Sequence, residues 1–318
     1  MIYDIFIIGG GPGGLTAAIY GARAGFSVLI AEPGLPGGQM TLTHEIENYP
    51  GFPEGIDGFT LGEKFLAQAQ RWGAERIQEK VISILPEHGP WQIRTDKGEY
   101  TAQTVIIATG ATPKVLGIPG EERLKGRGVS YCGTCDGPLY RNKTVTLIGG
   151  GNTAFQEADF LLRFVKHLNI VHHRSTFRAQ KALVDKIQSK ENVTFYTDCT
   201  PLEILGDPMV SGVKVRHNDT EAAEVIPTDG VFFFIGHKPE TGFADGVIET
   251  DDTGRILTDG GCACAMPGLY AIGDVRSKSS FQIATAVGDG ATVIHSIENY
   301  LRQIEQTAEK AKELVHCK

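Results

Sequence analysis

The amino-acid sequence predicts an α/β protein with two domains, and three observations support this prediction. A short apolar run, a glycine-rich loop, a helical stretch and a second apolar run follow one another within residues 3–31 and again within residues 144–172. This order is that of a βαβ unit. Its recurrence about 140 residues further on indicates a repeat of a whole domain type. The length of 318 residues also exceeds what one ordinary hydrophobic core contains.

The composition is typical of a soluble globular protein, with 41% hydrophobic and 21% charged residues. The net charge is −8 and there is no basic block, which disfavours binding to nucleic acid or to an anionic membrane surface. The longest apolar runs are strand-sized, well short of the ~20 residues of a membrane helix. Because the first predicted strand begins at residue 3, we expect no signal peptide and a cytoplasmic location.

The elements of the first unit can be read from hydrophobic periodicity. Residues 3–8 are rich in isoleucine and predict a buried strand of a parallel sheet, residues 15–24 a helix and residues 26–31 a second strand. Residues 104–108 predict a further strand of the same kind. We therefore expect a parallel sheet near the amino terminus.

The second unit repeats this order. Residues 144–148 predict a strand, residues 153–166 a helix and residues 168–172 a strand. The remaining predicted elements are strands at 231–235 and 269–272, a helix at 284–301 and a polar helical tail at 302–318.

The first glycine loop, residues 9–14, fits the pattern G-x-G-x-x-G of dinucleotide-binding loops. Gly9 allows the tight turn, Gly11 lets the backbone approach a pyrophosphate, and Gly14 lets the helix pack closely on the strand. Glu32 follows 23 residues after Gly9, where a carboxylate accepts hydrogen bonds from ribose and repels a 2′-phosphate. The loop predicts an FAD or NAD site, and its position at the amino terminus favours FAD by analogy. The candidate contacts are Gly9, Gly11, Pro12, Gly13, Gly14 and Glu32.

The second glycine loop, residues 149–154, fits the variant G-x-G-x-x-A. The residue 23 positions after Gly149 is His172 rather than an acid, and cationic side chains come after it. Arginine suits bidentate phosphate binding, so this loop favours NADP(H) over NAD(H). The candidate contacts are Gly151, Asn152, Thr153, His173, Arg174 and Arg178.

A C-x-x-C motif, Cys132 and Cys135, lies just ahead of the second unit. Two cysteines three apart on a turn can close a small, reducible disulfide. In a large chain without a disulfide framework this motif suggests redox chemistry or a metal. Asp136 is a candidate acid/base for moving the proton during thiol–disulfide exchange. Catalytic candidates are therefore Cys132, Cys135 and Asp136.

The other cysteines bear on the alternatives. A zinc site needs a second ligand pair, and the only candidate, Cys262 with Cys264, has unfavourable spacing. We predict that these two and Cys199 are buried apolar groups and that Cys317 is exposed. Zinc binding, or an unreactive buried Cys132 and Cys135, remain alternatives to a redox pair.

Two dinucleotide loops with a C-x-x-C between them resemble the low-molecular-weight thioredoxin reductases, class II pyridine nucleotide-disulfide oxidoreductases, over nearly the whole chain. The matching segments lie at residues 9–14, 37–39, 47–51, 108–110, 132–136, 149–154, 172–178, 235–237 and 273–274.

The resemblance implies two Rossmann-like dinucleotide-binding domains, the second inserted into the first. The FAD domain would comprise residues 1–115 and 242–318, and the NAD(P)H domain with the C-x-x-C residues 116–241. It also implies a homodimer that uses FAD and NADPH and acts on thioredoxin or a thioredoxin-like protein. Cys135 would face the flavin and Cys132 would attack thioredoxin. The central domain would rotate between two states about the segments near 113–117 and 238–243.

The resemblance further implies that Gln39, Asn48, Asp274 and Gln282 contact FAD. Additional candidate cofactor contacts beside these motifs are Gly38, Val81, Thr109, Gly110, Gly273 and Ile283.

The sequence departs from the family pattern in three places. His173 stands where the family usually has arginine, Asn152-Thr153 where an acid followed by serine is common, and Phe281 where arginine precedes the glutamine. Because these positions lie near nicotinamide-nucleotide or flavin contacts, they leave the electron donor open, and NADH or ferredoxin could take the place of NADPH. Two further hypotheses stand beside this one: a dithiol oxidase that uses oxygen, and a flavin-binding redox sensor without turnover.

Overall fold

A computed structural model describes residues 1–43, 45–86 and 90–316. The chain divides into two compact units. Unit 1 comprises Met1–Thr112 and Lys238–Lys318, so it is built from both ends of the chain, and unit 2 comprises Pro113–His237. These boundaries lie within four residues of the expected ones, and the assignment of a cofactor to each unit stays a prediction.

The described residues contain both strands and helices, with helices between some of the strands. The strands are β1 (Ile2–Ile8), β2 (Val28–Ala31), β3 (Glu75–Ile77), β4 (Val81–Leu85), β5 (Trp91–Thr95), β6 (Glu99–Ile107), β7 (Ala111–Pro113), β8 (Val129–Ser130), β9 (Thr144–Gly149), β10 (His167–Val171), β11 (Val193–Tyr196), β12 (Cys199–Leu205), β13 (Gly212–His217), β14 (Ala223–Pro227), β15 (Gly230–Phe234), β16 (His237–Pro239) and β17 (Leu269–Ala271). The α-helices are α1 (Pro12–Arg23), α2 (Gly58–Arg71), α3 (Gly133–Asp136), α4 (Asn152–Leu161), α5 (Lys181–Gln188) and α6 (Ile283–His316).

Unit 1 is built on a sheet of seven strands in the order β3-β2-β1-β6-β5-β4, with β17 also paired to β6. Strands β1, β2, β3, β6 and β17 pair in parallel, whereas β4 and β5 form an antiparallel extension. The apolar run of β1 is explained by burial on both faces of this sheet. Ile5 and Ile7 pack into one core cluster and Phe6 and Ile8 into another, because successive side chains of a strand point to opposite faces.

Unit 2 contains a parallel sheet in the order β11-β10-β9-β15-β8 and a separate antiparallel sheet of β12, β13 and β14. Its core is aromatic, and Phe155, Phe232 and Phe233 are fully buried or nearly so. The carboxyl ends of β9 and β10 lie side by side, which places the residues that follow each strand at one edge of the sheet.

Two predicted helix ends were wrong. Helix α4 ends at Leu161 rather than at residue 166, because Asn142 donates its backbone N–H to the carbonyl of Phe164 and turns the chain toward β10. Val165 is buried four residues after Leu161, so the apolar period continues past the helix and misleads a prediction from periodicity. Helix α6 runs without a break to His316, so the tail that was predicted separately belongs to the same helix.

Among the helices of the described residues, none combines the length and the apolar character needed to cross a membrane.

Candidate active site

The first glycine loop joins β1 to α1 in unit 1. A Cβ atom on Gly9 would lie 2.5 Å from the carbonyl oxygen of Ala108, and Gly9 has a φ of +107°, so both packing and backbone require glycine. Gly14 lies directly against the carbonyl oxygen of Gly9, as expected for the glycine that lets helix and strand pack closely. The loop therefore has the geometry that its sequence predicts.

Gly11 has a different reason to be glycine. Its φ of −74° is ordinary for any residue. Apart from its two chain neighbours, no described residue would have an atom within 4 Å of a Cβ at this position. The space over Gly11 is thus open, and no described side chain caps the N-terminus of α1. A phosphate group fits this arrangement, because the first-turn N–H groups and the positive end of the helix dipole are available to it.

Glu32 comes directly after β2, and its carboxylate holds the first glycine loop by a hydrogen bond. Its Oε2 accepts a hydrogen bond from the backbone N–H of Gly10 at 2.7 Å, and its Oε1 accepts one from Gly34 at 2.7 Å. Each carboxylate oxygen keeps a further lone pair for a ribose hydroxyl. Glu32 thus has a structural function in the loop that sequence reasoning did not include.

Predicted flavin contacts from distant parts of unit 1 meet near this loop. Asn48 donates through Nδ2 to Oε1 of Gln282 at 3.1 Å, although the two residues are 234 positions apart. A Cβ on Gly38 would lie 3.2 Å from Cα of Gly11. The structure therefore brings Asn48 to Gln282 and Gly38 to the loop.

Asp274 lies in the 3-10 helix Gly273–Val275 and is held by a network of charges. Burial raises the pKa of its carboxyl group, and the cations of Lys278 and Arg255 oppose the shift. Asp289 bridges this network, because it accepts from the N–H of Gly273 at 2.9 Å and from Lys278 at 3.0 Å. Sequence reasoning missed Asp289, although its position between two glycines of α6 is an unusual one for a helix interior.

The remaining predicted contacts are more scattered. Thr109 donates through Oγ1 to the carbonyl of Glu240 at 2.7 Å, Gln39 is exposed, and the Val81 side chain is buried in the core of the sheet. Gly110 directly precedes β7, and Ile283 is the first residue of α6. Their roles as cofactor contacts stay predictions.

The second glycine loop joins β9 to α4 in unit 2 and repeats the first. A Cβ atom on Gly149 would lie 2.5 Å from the carbonyl oxygen of Phe234. A Cβ atom on Gly151 would have no atom of the described residues within 4 Å, apart from those of its two chain neighbours. No described side chain caps α4. Asn152 instead accepts from the N–H of Gln180 at 2.8 Å through Oδ1, and Thr153 is exposed. This loop also fits a diphosphate.

His172 replaces the acid of the first loop. It is 6% exposed, packs directly against Gly150, and stacks on Phe177 with ring centroids 5.3 Å apart. Burial lowers the pKa of its imidazole, so the ring is neutral at pH 7. His172 therefore packs against the backbone of the second loop and adds no charge to it.

Three side chains after His172 are exposed. His173, Arg174 and Arg178 all lie at the surface. Arg174 donates through Nε to Nε2 of His173 at 3.2 Å. The backbone N–H of Arg178 donates to the carbonyl of Gly150 at 2.9 Å. The two arginines thus give this edge of the second loop a positive charge.

Cys132 and Cys135 form a disulfide in unit 2, with their Cα atoms 5.3 Å apart. Cys132 precedes the single turn α3, and its Sγ accepts from the N–H of Cys135 at 3.1 Å. Both residues are half-buried. The bond lies on a short turn with some solvent access, as exchange with a partner disulfide requires.

Asp136 ends α3 beside this disulfide. Its Oδ2 accepts from the hydroxyl of Ser130 at 2.6 Å, and the same hydroxyl oxygen accepts from the N–H of Cys132 at 3.1 Å. Burial raises the pKa of Asp136, while the bond from Ser130 acts in the opposite direction. An acid poised closer to neutrality suits proton transfer. Sequence reasoning missed Ser130, which ends β8 two residues before Cys132.

The free cysteines that the structure describes differ from this pair in their burial and chemistry. Cys199 and Cys262 are buried and Cys264 is half-buried. Burial raises the pKa of Cys262 to about 11 and that of Cys264 to about 12, so neither is a thiolate at pH 7. Cys317 lies outside the described residues. No group of three or more His, Cys, Asp or Glu side chains in the described part of the chain could hold a metal ion.

Comparison with known proteins agrees with this geometry. Residues 3–290 match the family model of the pyridine nucleotide-disulphide oxidoreductases. Thioredoxin reductase of Listeria monocytogenes is 40% identical over 309 residues, which cover 97% of both chains. That of Bacillus subtilis is 39% identical over 312 residues and 98% of both chains.

A solved structure is similar as well. The thioredoxin reductase from Streptococcus pyogenes superposes with a TM-score of 0.90 at 42% identity, covering 95% of this chain and 99% of that one. These findings confirm the family and the two-domain dinucleotide-binding fold that the sequence predicts. The chain belongs to the pyridine nucleotide-disulphide oxidoreductase family, and within it to the thioredoxin reductases, oxidoreductases that work with a flavin and a pyridine nucleotide.

Proposed function

We propose that the chain is an NADPH-dependent thioredoxin reductase, in which two electrons pass from NADPH through FAD to the Cys132–Cys135 disulfide and on to thioredoxin. The observation that carries this proposal is the disulfide itself, closed on a short turn with a buried acid beside it. The relatives that share this architecture are named for the same activity.

We assign FAD to unit 1 and the nicotinamide nucleotide to unit 2. Gly11 with the N-terminus of α1, Glu32, Asn48, Gln282 and Asp274 would hold FAD. Gly151 with the N-terminus of α4 and the side chains of His173, Arg174 and Arg178 would hold the nucleotide. When bound, the flavin accepts a hydride equivalent from the nicotinamide and passes two electrons to a disulfide.

The residues of the cysteine turn then complete the reaction. The thiolate of Cys132 attacks one sulfur of the partner disulfide, forms a mixed disulfide and releases the other partner sulfur as a thiolate, which takes up a proton. Cys135 loses its proton and attacks Cys132, which restores the Cys132–Cys135 bond and releases the second partner thiol. Asp136 holds and returns the proton, and Ser130 orients its carboxyl group through Oδ2.

A second candidate keeps the disulfide chemistry but takes electrons from NADH or from another donor such as ferredoxin. It is favoured by the hydrogen bond that Nε of Arg174 donates to Nε2 of His173, because this bond occupies one donor of the guanidinium group. A neutral histidine contributes less to phosphate binding than the arginine common in the family.

The deciding experiment mixes the purified flavoprotein with NADPH or NADH in the absence of oxygen and follows flavin absorbance. Rapid bleaching with NADPH and slow bleaching with NADH support the first candidate. Bleaching by neither nucleotide, with bleaching by reduced ferredoxin, supports the second.

Cys135→Ser separates the flavin step from the disulfide step. We expect NADPH to bleach the flavin of this variant at the rate of the native protein. The variant should reduce no thioredoxin, because it cannot form the Cys132–Cys135 disulfide. Loss of both reactions would mean that Cys135 has a structural role. Normal bleaching and dithiol formation in the native protein without turnover of any thioredoxin would point to a redox sensor.

A further inference from the structure

A second carboxylate, Glu157, lies against the cysteine turn and has no role in the reaction described above. It is carried by α4, which packs on α3. Gly133 lies between the two cysteines, and a Cβ atom at this position would meet Oε2 of Glu157, so the carboxylate lies directly against the backbone of the turn. The ring of Phe234 closes the same space, with its Cζ 3.3 Å from where a Cβ of Gly133 would lie.

The described surroundings of this carboxylate leave one of its oxygens without a partner. Its Oε2 is buried and makes no hydrogen bond within the described residues. Burial raises the pKa of Glu157, while the amides of Thr134 and Gly133 act in the opposite direction by favouring the ionised form. Glu157 thus places a poorly solvated acidic group on the backbone that links the two sulfurs.

The neighbouring elements offer little charge compensation. Helix α4 contacts α3, α5, β9 and the 3-10 helix Gly137–Tyr140. The titratable groups on these elements, on α4 itself and at the cap of α3 are Cys132, Cys135, Asp136, Tyr140, Asp159, Lys181, Asp185 and Lys186. Lys186 pairs with Asp159 at 2.8 Å, and no charged side chain of the described residues contributes to the pKa shift of Glu157.

Reduction changes the charge that Glu157 meets. In the disulfide the two sulfurs are neutral. Two electrons break the S–S bond, and two protons from solvent then give two thiols, whereas one proton gives a thiol and a thiolate. A thiolate beside an ionised, poorly solvated carboxylate is disfavoured by like-charge repulsion.

We propose that Glu157 sets the protonation state of the reduced Cys132/Cys135 pair, keeping it as two thiols up to a higher pH than the turn alone would. The thiolate is the reactive form, so the reduced pair is protected from small oxidants until a partner disulfide is in place. The inference rests on the dithiol of the proposed function but not on its electron donor, because a chemical reductant produces the same dithiol.

The test measures the acidity of the reduced pair in the FAD-containing protein. The protein is reduced with a phosphine without oxygen, freed of reductant, and alkylated with iodoacetamide across a pH series. Mass spectrometry of the peptide containing Cys132 and Cys135 separates this reaction from the other cysteines. Glu157→Gln keeps the size of the side chain and removes its charge. Asp159→Asn, on the same helix but paired with Lys186, is the matched control.

We expect Glu157→Gln to move the alkylation midpoint down by about one pH unit, since one nearby like charge shifts a pKa by about that much. The thiolate fraction at pH 7 then rises about tenfold, its intrinsic nucleophilicity falls about threefold, and alkylation becomes about threefold faster. Asp159→Asn should keep the native midpoint. Equal midpoints for Glu157→Gln and the native protein would overturn the inference.

Infrared spectroscopy provides a readout that needs no variant. In native protein carrying 13C-labelled glutamate, the difference spectrum of the reduced protein recorded below and above the alkylation midpoint should contain a labelled carboxylate band, because the charge next to Glu157 changes when a thiolate forms. The absence of any labelled band contradicts the inference. If the phosphine never frees Cys132 and Cys135 for alkylation, the proposed function fails instead.

Discussion

The two glycine loops share one backbone frame but differ in the residue after their second strand. A Cβ atom added to Gly9 would lie 2.5 Å from the carbonyl oxygen of Ala108, and one added to Gly149 would lie 2.5 Å from that of Phe234. Gly11 and Gly151 each face open space at the start of a helix. Both loops therefore keep the features that a diphosphate needs.

The residue after the second strand is an acid in unit 1 and a histidine in unit 2. Glu32 accepts the backbone N–H of Gly10 in the first loop and that of Gly34 two residues after itself, so a carboxylate orders the first loop. His172 has its neutral ring against Gly150, and exposed cations come after it. We propose that the shared frame binds a dinucleotide in each unit and that the residues after the second strand select between ligands of different charge.

Substitutions at the open glycines test the frame with the largest expected effect. Gly11→Val and Gly151→Val should both fold, because a Cβ meets no described atom at either site. Each variant should lose about two charge-assisted hydrogen bonds to phosphate. This loss weakens the binding free energy by about 3–6 kcal/mol, which lowers the affinity on the order of 10²–10⁴-fold. Calorimetric titration with FAD and with NADP⁺ measures both sites.

The two variants control for each other. Gly11→Val should lose FAD and keep the nicotinamide nucleotide, and Gly151→Val should do the reverse. If either variant binds both ligands normally, the corresponding loop is not a phosphate site.

Removing the cations of the second loop tests the charge selection. Arg174→Ala combined with Arg178→Ala should weaken the binding of NADPH by roughly tenfold to a hundredfold. Each lost contact to phosphate contributes about 1.5–3 kcal/mol, and screening at the surface reduces this contribution. NADH should bind unchanged. Steady-state KM values for the two nucleotides measure this, and equal weakening would remove the specificity argument.

Glu32→Gln tests the first loop by a smaller change. The backbone N–H of either Gly10 or Gly34 then faces the NH₂ group of the new glutamine instead of an acceptor oxygen. Leaving that N–H without a partner costs about 1–3 kcal/mol. We expect FAD affinity to fall by about tenfold and the free energy of unfolding to decrease, with the NADPH site unaffected. Fluorescence of released flavin and urea unfolding are the measurements, and an unchanged FAD affinity would contradict the role of Glu32.

His173→Arg should have the smallest effect. A fixed positive charge at an exposed site contributes about 0.2–1 kcal/mol, so KM for NADPH should fall by roughly twofold to fivefold. The gain should diminish at high salt, because exposed charges are screened. A KM for NADPH that does not fall would mean that residue 173 does not face the 2′-phosphate.

Much of the fold could be predicted because both βαβ units carry local signals. The apolar strands, the glycine loops and the distance to Glu32 and His172 lie within about 30 residues of sequence. The antiparallel sheet of β12–β14 and the single turn α3 were not predicted, since short strands and one-turn helices have little periodicity to recognise.

The site was predicted only where its residues belong to a motif. Cys132, Cys135 and Asp136 are neighbours in sequence, so the motif shows them together. Ser130 and Glu157 carry no such signal. Glu157 lies 24 positions after Gly133, and only the packing of α4 on α3 brings it to the cysteine turn. Asn48 and Gln282 were named only through the family resemblance, and the hydrogen bond between them spans 234 positions.

The most direct test of the account is an anaerobic titration of the flavoprotein with NADPH, followed to complete reduction. We predict about two equivalents of NADPH per chain, one for FAD and one for the Cys132–Cys135 disulfide, and about one equivalent for Cys135→Ser, because each couple takes two electrons. A single equivalent for both proteins would show that electrons never reach the cysteine pair and would contradict the account.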